Sequence, residues 1–330
     1  MKTPKFWYKD NSILKYILYP LTSLWLLASY LKKAYVKPKK FSVPIICVGN
    51  IIAGGSGKTP LTIQLAKLFL KKKYVVHIIK KQYKSKNEQI VTLVHEKSDP
   101  ALVGDEAILT SRITSTWLVK DRKVGIKIAI KKGANLIILD DGYQDYSIIK
   151  DFNILTINEK QQFGNKNIIP AGPLREKIYN GIKKADSIFF YGNKNSLDPA
   201  ILNCSKPITF VKMLYNKNFI KNIKNKNILA FTGIAHPENF FNSIIKYGFN
   251  LIKKFEFSDH YRYKRKDFEK IILISEKLKL LVITTEKDYV KVPKKFQNKI
   301  LPMPLIIQFN QEAFYNLFIQ KVKKNVNSSI

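Results

Sequence analysis

The residues of this 330-residue chain best equipped for chemistry are Gly54-Gly55-Ser56-Gly57-Lys58-Thr59. Glycines carry no Cβ, so backbone N–H groups in such a loop can converge on phosphate oxygens. A helix beginning at the lysine adds its unpaired donors and the positive end of its dipole. Lys58 would reach the β- and γ-phosphates of a nucleoside triphosphate, and the Thr59 hydroxyl would ligate Mg²⁺. One position departs from the pattern G-x-x-x-x-G-K-[ST], because Ile52 stands where glycine is expected. The bland alternative is a Gly-rich turn with a chance Lys-Thr, and it loses to context. An apolar run from Val43 to Val48 predicts a buried strand that Gly49-Asn50 ends. After the loop, Leu61, Leu65, Leu68 and Phe69 recur at helical spacing, and Pro60 is harmless in a first turn.

A second group of candidates is acidic. Asp140-Asp141-Gly142 follows the apolar run that ends at Leu139. That pattern describes a buried strand delivering carboxylates to its C-terminal edge, where open α/β sheets bind ligands and P-loop proteins hold Mg²⁺. Alone, Asp-Asp-Gly reads as a turn; downstream of a phosphate loop, Thr59, Asp140 and Asp141 are expected to ligate a metal. Asp105 follows Gly104 ahead of a helix, and a plain N-cap is its first reading. Asp259-His260-Tyr261 reads as a polar loop, and Glu286-Lys287-Asp288 as a helix cap with a solvated charge pair. Spacing alone makes none of these catalytic.

The chain supplies a frame for these side chains. Strands are expected at residues 74–80, 90–94, 116–119, 135–139, 154–157 and 187–191, with helices between them from Asp121 to Gly133 and from Leu102 to about Ile113. Ile169 to Glu176 is a rigid Pro/Gly segment ending in the charge pair Arg175-Glu176. Residues 216 to 227 are rich in Lys and Asn and are expected to be a linker. Beyond it, strands at 228–232, 251–255 and 280–284 alternate with helices at 237–246 and 266–277. The expected fold class is α/β: a P-loop NTPase-like α/β/α domain plus a smaller second α/β domain, with an N-terminal apolar helix. The boundaries are expected at 1–36 for the helix, 37–215 for the phosphate-loop domain and 216–330 for a second domain that closes over the nucleotide cleft.

Bulk numbers limit the partners. Hydrophobic residues make up 45% of the chain, which excludes disorder, and Cys47 and Cys204 stand alone, which excludes a disulfide framework. The formal net charge of +34 draws the surface to anionic lipid, anionic substrate or nucleic acid. Basic runs are not interleaved with aromatics as a stacking platform needs, so nucleic acid is not expected. Ile13 to Leu31 is apolar apart from Lys15, contains Pro20, and is followed by Lys32, Lys33, Lys37, Lys39 and Lys40. Its Tyr16, Tyr19, Trp25 and Tyr30 suit the headgroup region, which predicts a helix lying in a membrane interface, ahead of one that spans or one that packs on the core.

Taken in order, Gly49-Asn50 through Pro60, Gly104-Asp105-Glu106, Asp140 to Gln144, Pro170 to Glu176, Asp259-His260 and Thr285 to Asp288 resemble the tetraacyldisaccharide 4'-kinase family, the lipid A 4'-kinases. The resemblance runs from the apolar helix to about residue 310, and no generic P-loop protein shares this series. The family's loop also lacks glycine at the Ile52 position. The resemblance implies ATP-dependent phosphorylation of the 4'-hydroxyl of a tetraacylated disaccharide 1-phosphate at the cytoplasmic face of the bacterial inner membrane. It implies Asp105 as catalytic base, His260 as its partner, Asp140 and Asp141 as the acidic pair, and Lys58 and Thr59 as phosphate and metal residues; ATP and Mg²⁺ are the cofactors. No obligate protein partner is expected. The alternatives are another P-loop kinase or amidoligase-type ATPase with a soluble substrate, and a ParA-like ATPase switch. Three stretches depart from the family pattern. Lys80-Lys81-Gln82-Tyr83 replaces Ser-Arg-Gly-Tyr, Ala107 stands where proline is usual, and Asp145 where histidine is.

Overall fold

Two sheets organise the molecule in the computed structural model, which describes residues 4–9, 11–82, 89–223 and 226–327. The large sheet collects β1 (Ile45–Gly49), β2 (Val76–Lys81), β3 (Val91–Val94), β4 (Thr116–Val119), β5 (Leu136–Asp140), β6 (Phe152–Asn158), β7 (Ser187–Tyr191), β8 (Ile208–Tyr215) and one late strand. The small sheet collects β9 (Asn227–Thr232), β10 (Asn250–Glu256), β11 (Leu281–Thr285) and β12 (Ile300–Met303). The late strand, β13 (Leu305–Gln308), returns to the large sheet, whose order is β13-β8-β7-β6-β1-β5-β2-β4-β3. Its pairings are parallel except at the two edges, where β3 runs against β4 and β13 against β8. The small sheet, ordered β10-β9-β11-β12, is parallel throughout.

β1 is central and buried on both faces, as an uninterrupted apolar run requires. Ile45 and Cys47 pack with Ile79, Ile137 and Leu139 on one face, while Ile46 and Val48 pack with Ile78, Ile138 and Ile154 on the other. The helix Lys58–Lys71 covers the second face through Leu61, Leu65 and Phe69. In the small sheet, Ile228 and Ala230 face Phe240, Phe241 and Ile244, and Leu229 and Phe231 face Phe268 and Ile271. Each domain therefore has its own three-layer core.

Most expected elements are present within two residues of their expected ends, but the helix expected from Leu102 to about Ile113 is broken at Gly104 into Pro100–Val103 and Asp105–Ser111. The helix expected from Asp121 spans Arg122–Lys131, and Asp121 caps it by accepting from the Lys123 N–H. Two further expectations need correction. The stretch read as a linker forms a helix, Lys217–Ile223, whose Ile223 is buried against the small sheet with Phe219 and Ile220 beside it. Lys and Asn dominate its composition, yet three apolar side chains at helical spacing were enough to dock it. The second domain also does not run to the end of the chain. β13 and the helix Gln311–Asn327 belong to the first domain, where Phe314 and Phe318 pack on Phe69 and Phe152. Tyr83 and residues 224–225 of the expected linker lie outside the described residues.

The apolar helix spans Ile13–Ala34, with Lys32 and Lys33 in its last turn. Its only buried residue is Thr22, while Ile13, Ile17 and Leu24 are 77%, 64% and 63% exposed. No helix among the described residues is long and apolar enough to cross a membrane. Two indoles tie this region to the body. Trp25 Nε1 donates to the Arg175 carbonyl at 3.1 Å, and Trp7 Nε1 to the Pro170 carbonyl at 2.9 Å.

Candidate active site

The phosphate loop leaves the C-terminal end of β1 and enters the helix at Lys58. Gly57 sits at φ 76°, and a Cβ there would lie 2.8 Å from the Tyr191 ring, so both backbone and packing demand glycine. Tyr191 braces the turn by donating to the Gly57 carbonyl at 2.9 Å. Ser56 Oγ lies 2.9 Å from Thr156 Oγ1, which in turn donates to the Gly49 carbonyl. The loop is thus fastened to β6 and β7 as well as to the strand it follows. The Pro/Gly segment lies across it: Ala53 N donates to the Pro173 carbonyl at 2.8 Å and Arg175 N to the Ile51 carbonyl at 2.7 Å.

Asp140 ends β5, in register with Val48 of β1 on one side and Lys80 of β2 on the other. The Thr59 hydroxyl lies 3.1 Å from Asp140 Oδ2 and 2.9 Å from Glu106 Oε2. Thr59 and Asp140, expected as metal residues, are therefore adjacent. Their oxygens and those of Glu106 are the hard donors that suit Mg²⁺. Lys80 reaches the same spot, bonding Asp140 Oδ2 and lying 3.7 Å from Glu106 Oε2. Burial pulls the Lys80 ammonium pKa down, and the Asp140 and Glu106 carboxylates more than reverse it.

Asp141 turns the other way. Its backbone is left-handed, at φ 59°, and its Oδ1 lies 3.7 Å from Lys58 Nζ and 3.2 Å from Arg175 Nη1. Arg122, 3% exposed, holds that backbone by donating to the Asp141 carbonyl at 2.7 Å, and its other arm meets Asp145 Oδ2 at 2.9 Å. Asp145, standing where the family has histidine, is the counter-ion of this buried arginine. Burial raises the Asp145 pKa, but bonds from Ser147 and the Arg122 charge hold it at about 2. Gln144 links Arg175 to the loop, donating to the Asn50 carbonyl at 2.8 Å and to Glu176 Oε1 at 3.0 Å while accepting from Arg175 at 3.3 Å.

Asp105 opens the helix Asp105–Ser111 but does not cap it; the cap is Gly104, at φ 84°. The carboxylate is 5% exposed and looks across to the second domain. His260 Nδ1 lies 3.3 Å from Asp105 Oδ2, and Lys291 Nζ lies 3.4 Å from the same oxygen. Burial raises the Asp105 pKa, and the His260 hydrogen bond with the Lys287 and Lys291 charges overrides it, holding the group well below the usual carboxylate range. The bond to Asp105 raises the His260 pKa against burial and the Lys287 charge. His260, at φ 55°, is set by its N–H bond to the Gly233 carbonyl at 3.1 Å.

Lys287 is the hinge pin between these groups. It lies 3.4 Å from Glu106 Oε1, 3.5 Å from Asp259 Oδ1 and 3.2 Å from His260 Nε2. Glu106 thereby joins Thr59 to the second domain, and with burial raising its pKa and Lys80 and Lys287 lowering it, it titrates at about 2. Asp288 is buried under Thr232 Oγ1, Gly233 N and Lys291 Nζ, which fixes the loop that carries Lys287. Thr59, Asp140, Asp105 and His260 are thus linked through Glu106 and Lys287, while Asp141 pairs with Lys58 and Arg175. Glu106, Arg175 and Lys287 enter the sequence analysis only inside its motifs and Lys80 only as a departure from the family pattern, and none of them is given a task there. Arg122 and Lys291 carry no local signal beyond their charge.

A phosphate loop on the central strand of a parallel sheet, with a threonine and a neighbouring-strand carboxylate beneath it, places this chain among the P-loop phosphotransferases. The family model described as tetraacyldisaccharide-1-P 4'-kinase matches residues 14–323, and the chain belongs to that family. The tetraacyldisaccharide 4'-kinase of Paramagnetospirillum magneticum is 32% identical over 325 residues, 98% of this chain and 99% of that one. That of Rickettsia bellii is 34% identical over 292 residues, 88% and 89% of the two chains. Among solved structures, LpxK from Aquifex aeolicus in complex with ATP matches with a TM-score of 0.75 and 24% identity, covering 94% of this chain and 99% of that one, a likeness of fold. Family membership sets the activity as that of a tetraacyldisaccharide 4'-kinase of lipid A biosynthesis, and the soluble-substrate and ParA-like alternatives fall away.

Proposed function

We propose that this chain binds ATP on the loop Gly54–Thr59 and transfers its γ-phosphoryl group to the 4'-hydroxyl of a tetraacyldisaccharide 1-phosphate, using Asp105 as base. The observation that carries this reading is the Asp105–His260 pair, joined to the phosphate-loop edge through Glu106 and Thr59. Asp105 accepts the hydroxyl proton as the new O–P bond forms and the bond to the leaving ADP breaks. Its contacts keep it ionised, the form that can accept a proton, while lowering its basicity. His260, donating to Asp105, stabilises the charge beforehand and orients the carboxylate. Lys58 and the loop N–H groups take the charge that develops on the transferred group. Asp141 and Arg175 hold Lys58 and the loop in place for that task. Thr59 and Asp140 would hold Mg²⁺, which would supply neutralisation of phosphate charge when bound.

The substrate's acyl chains sit in a bilayer, and the exposed apolar face of Ile13–Ala34 is built to meet one. Lysines on the rest of the surface favour anionic headgroups. We place the enzyme at the cytoplasmic face of the bacterial inner membrane, held peripherally. Incubation with ATP and purified disaccharide 1-phosphate tests the whole reading. A bisphosphorylated product is expected, and ATP left intact with substrate unchanged overturns it.

A further inference from the structure

We infer that Lys80 is a built-in cation of the metal site: its ammonium group takes the position among Asp140, Thr59 and Glu106 that a divalent ion needs, and competes with that ion. The inference rests on the assignment of Thr59 and Asp140 as the metal pair. Lys80 and Asp140 are register partners on adjacent parallel strands, so the ladder itself holds them side by side. Lys80 Nζ bonds Asp140 Oδ2 and lies 3.5 Å from Thr59 Oγ1 and 3.7 Å from Glu106 Oε2. Both side chains are withdrawn from solvent, Lys80 at 12% and Asp140 at 2% exposure. Lys287 already balances the other oxygen of Glu106.

Mg²⁺ gives up its water reluctantly and is held by one or two carboxylates together with substrate phosphates. In a poorly hydrated pocket, a fixed ammonium beside those carboxylates repels it more strongly than in bulk water. The nucleotide-free protein therefore binds divalent ions weakly. Phosphate oxygens give Lys80 a second partner and the metal further ligands, so metal and nucleotide enter together. In the metal-free protein, Lys80 also keeps Asp140 paired, so the fold does not depend on metal.

The test measures Mn²⁺ binding without nucleotide, by the loss of the free-ion EPR signal, in the full chain and in Lys80→Met and Lys80→Arg. Lys80→Met is expected to bind Mn²⁺ at least about tenfold more tightly, a difference of ~1.4 kcal/mol. Lys80→Arg is expected to match the parent. Mn²⁺ should raise the melting temperature of Lys80→Met and leave the parent unmoved. Lys80→Gln carries the same expectation should the methionine variant not fold. Equal affinity in the parent and the uncharged variants, with Asp140→Asn weakening both, overturns the role of Lys80 alone. Asp140→Asn without effect on Mn²⁺ binding by Lys80→Met overturns the metal pair as well.

Discussion

The Asp105 carboxylate and the His260 imidazole meet at 3.3 Å from opposite sides of the domain boundary. Asp105 begins a helix of the large-sheet domain, and His260 follows β10 in the small one. The pair exists only while the two domains are apposed. Lys287 and Lys291, both from the second domain, press on the same acids, so a single charged seam both holds the domains together and prepares the base.

Asp105→Asn separates base from scaffold. Asparagine keeps the shape and removes the basicity, so kcat should fall by roughly 10²-fold or more. His260→Ala should be strongly non-additive with it, because residues that act as one unit cannot be lost twice. Rate losses that simply multiply in the double variant would leave the base elsewhere.

Lys58→Ala removes a point charge from the site of phosphoryl transfer. Turnover should drop on the order of a hundredfold or more, with folding retained. Near-parent kcat in this variant, measured at saturating ATP, would remove the phosphate-loop assignment.

The seam should respond to pH. The folded-state pKa of His260 is raised, so its charged pairing with Asp105 contributes fully below the ordinary histidine value and is lost as pH rises through the raised one. The gap in melting temperature between the parent and His260→Gln should therefore be widest in mild acid and narrow towards alkaline pH. A gap that stays constant across that window contradicts the ionic pairing.

Asp145→Asn tests the support beneath Asp141. The substitution leaves the Arg122 guanidinium buried without its counter-ion, a loss of about 3 kcal/mol in stability. Denaturant unfolding should show that loss, and a variant as stable as the parent would mean that Arg122 finds another partner. Because Asp145 titrates at about 2, its pairing with Arg122 persists through mild acid and is lost only as pH falls towards that value.

Deleting residues 1–36 should move the protein from membrane vesicles towards solution. Residual binding through surface lysines should fade as salt rises. Unchanged partitioning on anionic vesicles would show that Ile13–Ala34 is not the anchor.

Local signals carried the phosphate loop and the strand leading to Asp140, because each is written in a few consecutive residues. Glycines before Lys58 and four apolar residues before Asp140 need no partner elsewhere to be read. Lys80 was different. Its meaning comes from lying beside Asp140 across two strands that are 60 residues apart in sequence. Lys287 reads as part of a solvated charge pair and Lys291 carries no signal, because nothing local says that the second domain turns them onto Glu106 and Asp105. Asp105 itself reads as a cap until the structure gives that task to Gly104. β13 is only four residues long, and so short an apolar run does not say which sheet it joins.

The return of β13 and the helix Gln311–Asn327 has a consequence for how the protein is made. Phe318 meets Phe69 edge to face at 4.9 Å and Phe314 meets Phe152 likewise at 5.6 Å, so the nucleotide domain completes its core with residues made after the whole second domain. The second domain is in effect an insertion, free to fold during synthesis while the first still lacks an edge strand and a covering helix. A chain that terminates anywhere between residues 216 and 304 is therefore released with its phosphate loop on an open, incomplete sheet.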